Sequence, residues 1–162
     1  MTDSHRAYLN IGSNIRPEAN LPRALGMLRQ YGQVPAVSQA WETRAVGSDS
    51  PNFLNACALF LTPLSAGDLK TQVMNPIEDG LGRVRSDDRN GPRTIDLDIA
   101  LYDDTPLHLN NWENAFLLVP LAELAPEFRH PVTGERLSEA AERVLRATWI
   151  VPRPDVIAAA RN

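Results

Sequence analysis

Apolar residues recur along the chain with two periods, and the switches between them predict its elements. Tyr8 to Gly12 reads as a strand that the polar turn Gly12-Ser13-Asn14 ends. Leu21, Ala24, Leu25 and Leu28 then share one face of a helix that Asn20 can cap, with Pro22 in its first turn and Gly32 closing it. Val37 to Thr43 predicts a second strand, Gly47 to Asn52 a polar loop, and Phe53 to Leu61 a third, mostly buried strand. Ser65 and Asp68 form a capping-box analogue that opens a helix through Leu69 and Val73 toward Ile77, with Pro76 expected to kink or end it. Thr94 to Tyr102 alternates as a fourth strand, and Pro120 to Leu124 and Ser138 to Ala147 are further helix candidates. The order β-α-β-β-α-β predicts an α+β fold, a ferredoxin-like βαββαβ sandwich with a C-terminal helical extension.

Composition narrows the class. The 162 residues are 43% apolar and 22% charged, enough core for one globular domain over 1–162. Twenty acidic against sixteen basic residues give a net charge of −4, which argues against a nucleic-acid or membrane-surface partner; a basic site has to be local. The N-terminal residues lack the apolar core of a secretory signal, so a cytoplasmic location is expected; a monomer is the expected oligomeric state. The single Cys57 rules out an internal disulfide and reads as a small core residue. Lys70 is the one lysine, and no Gly-rich loop ends in Gly-Lys-Ser/Thr, so P-loop chemistry is excluded and bound phosphate would be held by arginine.

Chemistry concentrates near the fourth strand. Ile95, Leu97, Ile99 and Leu101 alternate with Asp96, Asp98, Ala100 and Tyr102, so both carboxylates point to one face, about 6.5–7 Å apart along the strand. That spacing lets both contribute oxygen to a Mg²⁺ site completed by substrate phosphates and water; a solvated strand face is the plainer alternative. Arg83, Arg85, Arg89 and Arg93 precede the pair, opposed by Asp87 and Asp88. Guanidiniums beside paired carboxylates suit phosphoryl transfer, in which metal bridges the phosphates and forked donors hold the remaining oxygens. A surface loop of weak ion pairs would carry the same letters.

Arg83-Val84-Arg85 followed by Asn90-Gly91-Pro92-Arg93-Thr94-Ile95-Asp96-Leu97-Asp98-Ile99 resembles the signature of the 6-hydroxymethyl-7,8-dihydropterin pyrophosphokinase family of folate biosynthesis. Tyr8 to Asn14, Phe53 to Asn55 and Phe116 to Pro126 agree in order, and the resemblance covers residues 7–146. It implies transfer of the β,γ-pyrophosphoryl group of ATP to the hydroxymethyl oxygen of the dihydropterin, releasing AMP, with a pair of Mg²⁺ ions held by Asp96 and Asp98. It further implies a pterin pocket of Thr43, Val46, Phe53, Asn55, Asn90 and Phe116. Asn75, Glu78, Arg83, Arg85, Arg93, Thr105 and His108 would face ATP, and Asp96, Asp98, Arg83 and Arg93 would carry the chemistry.

The chain departs from the family pattern where Asn90 replaces a frequent Trp, Asn114 an Arg and Arg44 a Pro, and where the connection from Asp98 to His108 is shortened. Asn114 and the shortened connection fall on the ATP side. They leave open a divergent paralogue that binds a pterin or nucleotide with weak or altered kinase activity. An RNA-binding module, the other use of such a sheet, is disfavoured by the acidic balance.

Overall fold

The computed structural model describes residues 4–45, 51–83, 94–107 and 112–158. Val46, Arg85, Asn90, Arg93 and His108 of the expected site lie outside the described residues, as does Arg89. The chain forms seven strands, β1 (His5–Ser13), β2 (Gln33–Val37), β3 (Ala40–Thr43), β4 (Phe53–Thr62), β5 (Asp96–Tyr102), β6 (Thr105–Pro106) and β7 (Ile150–Arg153). Its helices are α1 (Pro17–Tyr31), α2 (Ala66–Leu69), α3 (Asn75–Gly80), α4 (Ala115–Leu124), α5 (Leu137–Ala147) and α6 (Pro154–Ala158). A π-helical turn, Lys70–Met74, joins α2 to α3.

All strands pair antiparallel in one mixed-layer α+β molecule, in the order β6-β5-β1-β4-β3-β7, with β2 also on β4. Alternation along the strands gives the sheet two apolar faces. Leu9, Ile11, Ala56 and Phe60 pack under α1, α2 and α3 through Leu21, Leu25, Leu69 and Ile77. Tyr8, Cys57 and Leu101 pack under α4 and α5 through Leu118, Leu121, Leu137 and Val144. Among the described residues no helix is long and apolar enough to cross a membrane.

Several boundaries differ from the sequence expectation, each for a local reason. Helix α1 starts at Pro17 rather than after Asn20: proline suits the first helical position, and the amides of Ala19 and Asn20 reach the Arg16 carbonyl. The Asn20 side chain instead donates to the Ile15 carbonyl at 2.6 Å. Gly32 is extended and not left-handed; a Cβ there would come within 2.8 Å of the Phe60 ring. The expected strand Val37 to Thr43 is broken, because the Cys57 amide bonds the Ser38 hydroxyl at 2.8 Å where a backbone carbonyl would continue the ladder. Pro76 does not end its helix. The wider π turn, closed by the Asn75 amide on the Lys70 carbonyl, accommodates the proline ring one residue later. Pro120 lies inside α4 instead of opening it, and β7 and α6 were not expected.

Candidate active site

Residues directly opposed in antiparallel strands share a sheet face, so the register fixes what meets at the site. Asp96 of β5 opposes Gly12 of β1, Gly12 opposes Asn55 of β4, and Asn55 opposes Trp41 of β3. The next row is Asp98, Asn10 and Cys57. Phe53 and Thr43 pair one step beyond Asn55 on the same face. That face carries α4, whose first turn supplies Phe116, packed at the edge of the same apolar cluster as Trp41. One end of the sheet therefore gathers two carboxylates, a buried amide and two phenyl rings.

Gly12 has a steric role here. A Cβ on it would come within 2.4 Å of Asn55 Oδ1 and 3.4 Å of Asn55 Cγ, so the Asn55 amide lies where any larger residue would displace it. Beyond Gly12 the turn is held by Ser13 Oγ on the Ile15 carbonyl at 3.1 Å and by Asn14, whose amide donates to the Pro51 carbonyl at 3.2 Å. Asn14 thereby ties the end of β1 to the segment that leads into Phe53.

The other wall comes from α3. Its C-terminus is a Schellman motif: Gly82, at φ 78°, donates to the Asp79 carbonyl at 3.1 Å, and the Arg83 amide donates to the Glu78 carbonyl at 3.1 Å. The left-handed glycine turns the chain back so that Arg83 lies beside Glu78. Arg83 Nη1 donates to Glu78 Oε2 in a short contact and to Asp96 Oδ1 at 2.7 Å. Glu78 Oε2 also accepts from the Leu97 amide at 3.0 Å, which fastens α3 to β5. Burial works against the Arg83 charge, but the nearby Asp96 and Glu78 carboxylates outweigh it and hold the guanidinium above its ordinary range. Arg83 is thus a partly buried bridge between the two carboxylates, and Glu78, 3% exposed, faces it.

Lys70, Asn75, Glu78, Arg83, Asp96 and Asp98 line one open, polar cleft of about 340 Å³. Among the described residues no three His, Cys, Asp or Glu side chains cluster to hold a metal on their own. Two hard carboxylates with room for phosphate oxygens and water match what Mg²⁺ takes.

Over residues 8–126 the sequence matches the 7,8-dihydro-6-hydroxymethylpterin-pyrophosphokinase (HPPK) family. The chain belongs to that family. It is 34% identical over 159 residues to the 2-amino-4-hydroxy-6-hydroxymethyldihydropteridine pyrophosphokinase of Synechocystis sp., covering 91% of this chain and 80% of that protein. It is 37% identical over 146 residues to the Pseudomonas aeruginosa protein of the same name, covering 83% and 88%. Among solved structures, wild-type Plasmodium falciparum HPPK-DHPS with pteroate superposes with a TM-score of 0.70 at 14% identity over 90% of this chain. The chain spans 43% of that longer protein.

Of the HPPK-type site residues expected from sequence, Asn75, Glu78, Arg83, Asp96 and Asp98 meet at the cleft, and Thr43, Phe53, Asn55 and Phe116 gather on the adjoining face. Thr105 is not among them. Asp103 and Asp104, at φ 48° and 65°, form a tight hairpin that sets Thr105 beside Tyr102, at the other end of β5 from Asp96. Sequence reasoning missed Lys70 as a lining residue and Glu123, which accepts from the Gln39 amide, Gln39 Nε2 and Trp41 Nε1, each at 3.1 Å. Glu123 pins β3, which carries Thr43, to α4, which carries Phe116. An acidic residue near the end of an otherwise apolar helix was the available signal.

Proposed function

We propose that this protein is a Mg²⁺-dependent pyrophosphokinase that transfers the β,γ-pyrophosphoryl group of ATP to 6-hydroxymethyl-7,8-dihydropterin, giving AMP and the dihydropterin diphosphate for folate synthesis. The observation that carries it is the row Asp96, Gly12, Asn55, which sets the carboxylate wall of the cleft on the same sheet face as a buried amide, with one strand between them. Membership of the HPPK family supports the reaction. We read the whole chain as one such domain. The strand order β5-β1-β4 with β2 and β3 together at the fourth place supports a ferredoxin-like sandwich extended by α4, α5, β7 and α6.

On this reading Asn55, whose amide can donate and accept, addresses the edge of the pterin, and Phe53 and Phe116 stack on its faces with Thr43 at the rim, stacking being worth about 0.5–1.5 kcal/mol beyond area burial. Asp96 and Asp98 would hold Mg²⁺, which would supply positive charge against the phosphates during an in-line displacement. Arg83, locked by Glu78, orients Asp96 and adds positive charge at the cleft; Asn75 lines the nucleotide side. Arg85 and Arg93 are assigned to phosphate, and Val46, Asn90 and His108 to their family positions, on the sequence motif alone. The protein contributes position and charge, with no covalent nucleophile.

We read it as a cytoplasmic, monomeric enzyme whose partners are small molecules; the acidic balance argues against a nucleic-acid or membrane-surface partner. Asn114 favours a second reading, a divergent paralogue that binds a pterin or nucleotide with weak or altered kinase activity, since the residue at the start of α4 offers no cation where the family motif has Arg. Incubation with ATP, Mg²⁺ and 6-hydroxymethyl-7,8-dihydropterin tests both. AMP formed only with pterin, and lost in Asp98→Ala, is the expected result; pterin binding without AMP would overturn the kinase reading in favour of the second.

A further inference from the structure

Thr43 and Phe53 oppose each other across β3 and β4, and the segment 149–153 holds the residues beside both. Thr43 also opposes Ile150 of β7, so the next step along the chain brings Arg44 to Trp149. The Arg44 guanidinium carbon stands 4.9 Å from the centre of the Trp149 ring, close enough for the indole face to attract the cation. On the other side of Thr43, Glu42 accepts from Arg153 Nη1 at 2.7 Å and from Asn52 Nδ2 at 2.9 Å, and Asn52 immediately precedes Phe53. Both chain neighbours of Thr43 are therefore held by side chains of this one segment, and Phe53 is reached through Asn52.

The segment is itself anchored. Ile150 is buried under α4 and α5, while Val156 and Ile157 of α6, directly after β7, are buried on the opposite face of the sheet. Trp149 is 40% exposed, so much of its ring lies outside either core and against Arg44. Resting on the pyrophosphokinase reading above, we propose that Trp149 is a positioning residue for the dihydropterin: by stacking on Arg44 it fixes the end of β3, and with it Thr43 at the rim of the pterin pocket. Asp96 and Asp98 stand on β5, and β1 and β4 separate that strand from β3, so the effect falls on the pterin and not on the nucleotide.

The test is isothermal titration of the protein with 6-hydroxymethyl-7,8-dihydropterin and, separately, with α,β-methylene-ATP and Mg²⁺, the nucleotide serving as the control for the fold. Trp149→Ala is expected to weaken dihydropterin binding about three- to fivefold with nucleotide affinity unchanged. Trp149→Tyr, which keeps a ring face for the cation, is expected to retain binding. Arg44→Ala should show the same loss as Trp149→Ala, and the double variant no more than either, since both remove one contact. Unchanged dihydropterin affinity in Trp149→Ala overturns the proposal, as does a loss shared by the nucleotide or by Trp149→Tyr, or losses that add in the double variant. Asn55→Ala separates the two levels. If it loses dihydropterin affinity while Trp149→Ala does not, the role of Trp149 alone falls; if it too binds unchanged, the pterin pocket and the reading that rests on it fail.

Discussion

The amide of Asn55 lies across the Cα of Gly12, with Oδ1 only 2.4 Å from where a Cβ would stand. A methyl group there must push the Asn55 side chain or separate β1 from β4. Because Asn55 is assigned to the pterin, Gly12→Ala is expected to raise the KM for the dihydropterin tenfold or more, about 1.4 kcal/mol, with the KM for ATP little changed. Steady-state kinetics with each substrate varied in turn check this; equal changes in both values would assign Gly12 to the fold alone.

Arg83 joins Glu78 and Asp96, and the side chains of all three are mostly buried. Removing the guanidinium while leaving Glu78 charged strands a buried carboxylate, so Arg83→Met is expected to destabilise the protein by about 3–5 kcal/mol. Glu78→Gln combined with Arg83→Met should recover much of that loss. Urea unfolding of the two variants decides it, and equal stability of the single and double variants would count against the bridge.

Arg153 on β7 reaches Glu42 at 2.7 Å and Asp155 at 3.1 Å. Glu42 is held below its ordinary pKa by Asn52 first and then by Arg153, and Asp155 is lowered chiefly by Arg153. Depressed carboxyl values contribute stability that is complete above the ordinary carboxylate range and lost as pH falls through the lower native values. Arg153→Gln is therefore expected to lower stability at pH 7, with the difference from the unmodified protein vanishing under acid conditions. A gap that persists at low pH in urea titrations would show that Arg153 acts through packing.

The parts of this molecule that were legible in the sequence are those that local pattern controls. The strict alternation of Ile95, Leu97 and Ile99 around Asp96 and Asp98 specifies both the strand and the shared carboxylate face, and β4 follows from its apolar run. Long-range partners were not legible. Nothing in the neighbourhood of Ser38 announces that its hydroxyl will meet the Cys57 amide and break a strand, or that Glu123 will seek Trp41 across 82 positions. Pro76 illustrates the middle case: the letter signals disturbance, but the π turn that absorbs it depends on Leu69, Val73 and Ile77 all reaching one core. The site residues were legible as a motif, whereas the row through Gly12 that aligns them required the register.

Lys70, on the π turn, lines the cleft with Asp96 and Asp98, and among the described residues it forms no ion pair. Its neighbours there, Glu78, Asp79, Asp96 and Asp98, make the cleft acidic, so an ammonium that pairs with none of them stays available to an incoming polyanion. Asn114 stands where the family pattern has Arg, and Lys70 offers a cation on the cleft wall. Lys70→Gln is accordingly expected to raise the KM for ATP about five- to tenfold, close to 1 kcal/mol, with the pterin KM unchanged. Since a partly exposed charge is screened by salt, the difference should shrink as ionic strength rises. Equal ATP affinity in the two proteins at low salt would show that Lys70 is a bystander on the cleft wall and that the missing arginine has no substitute there.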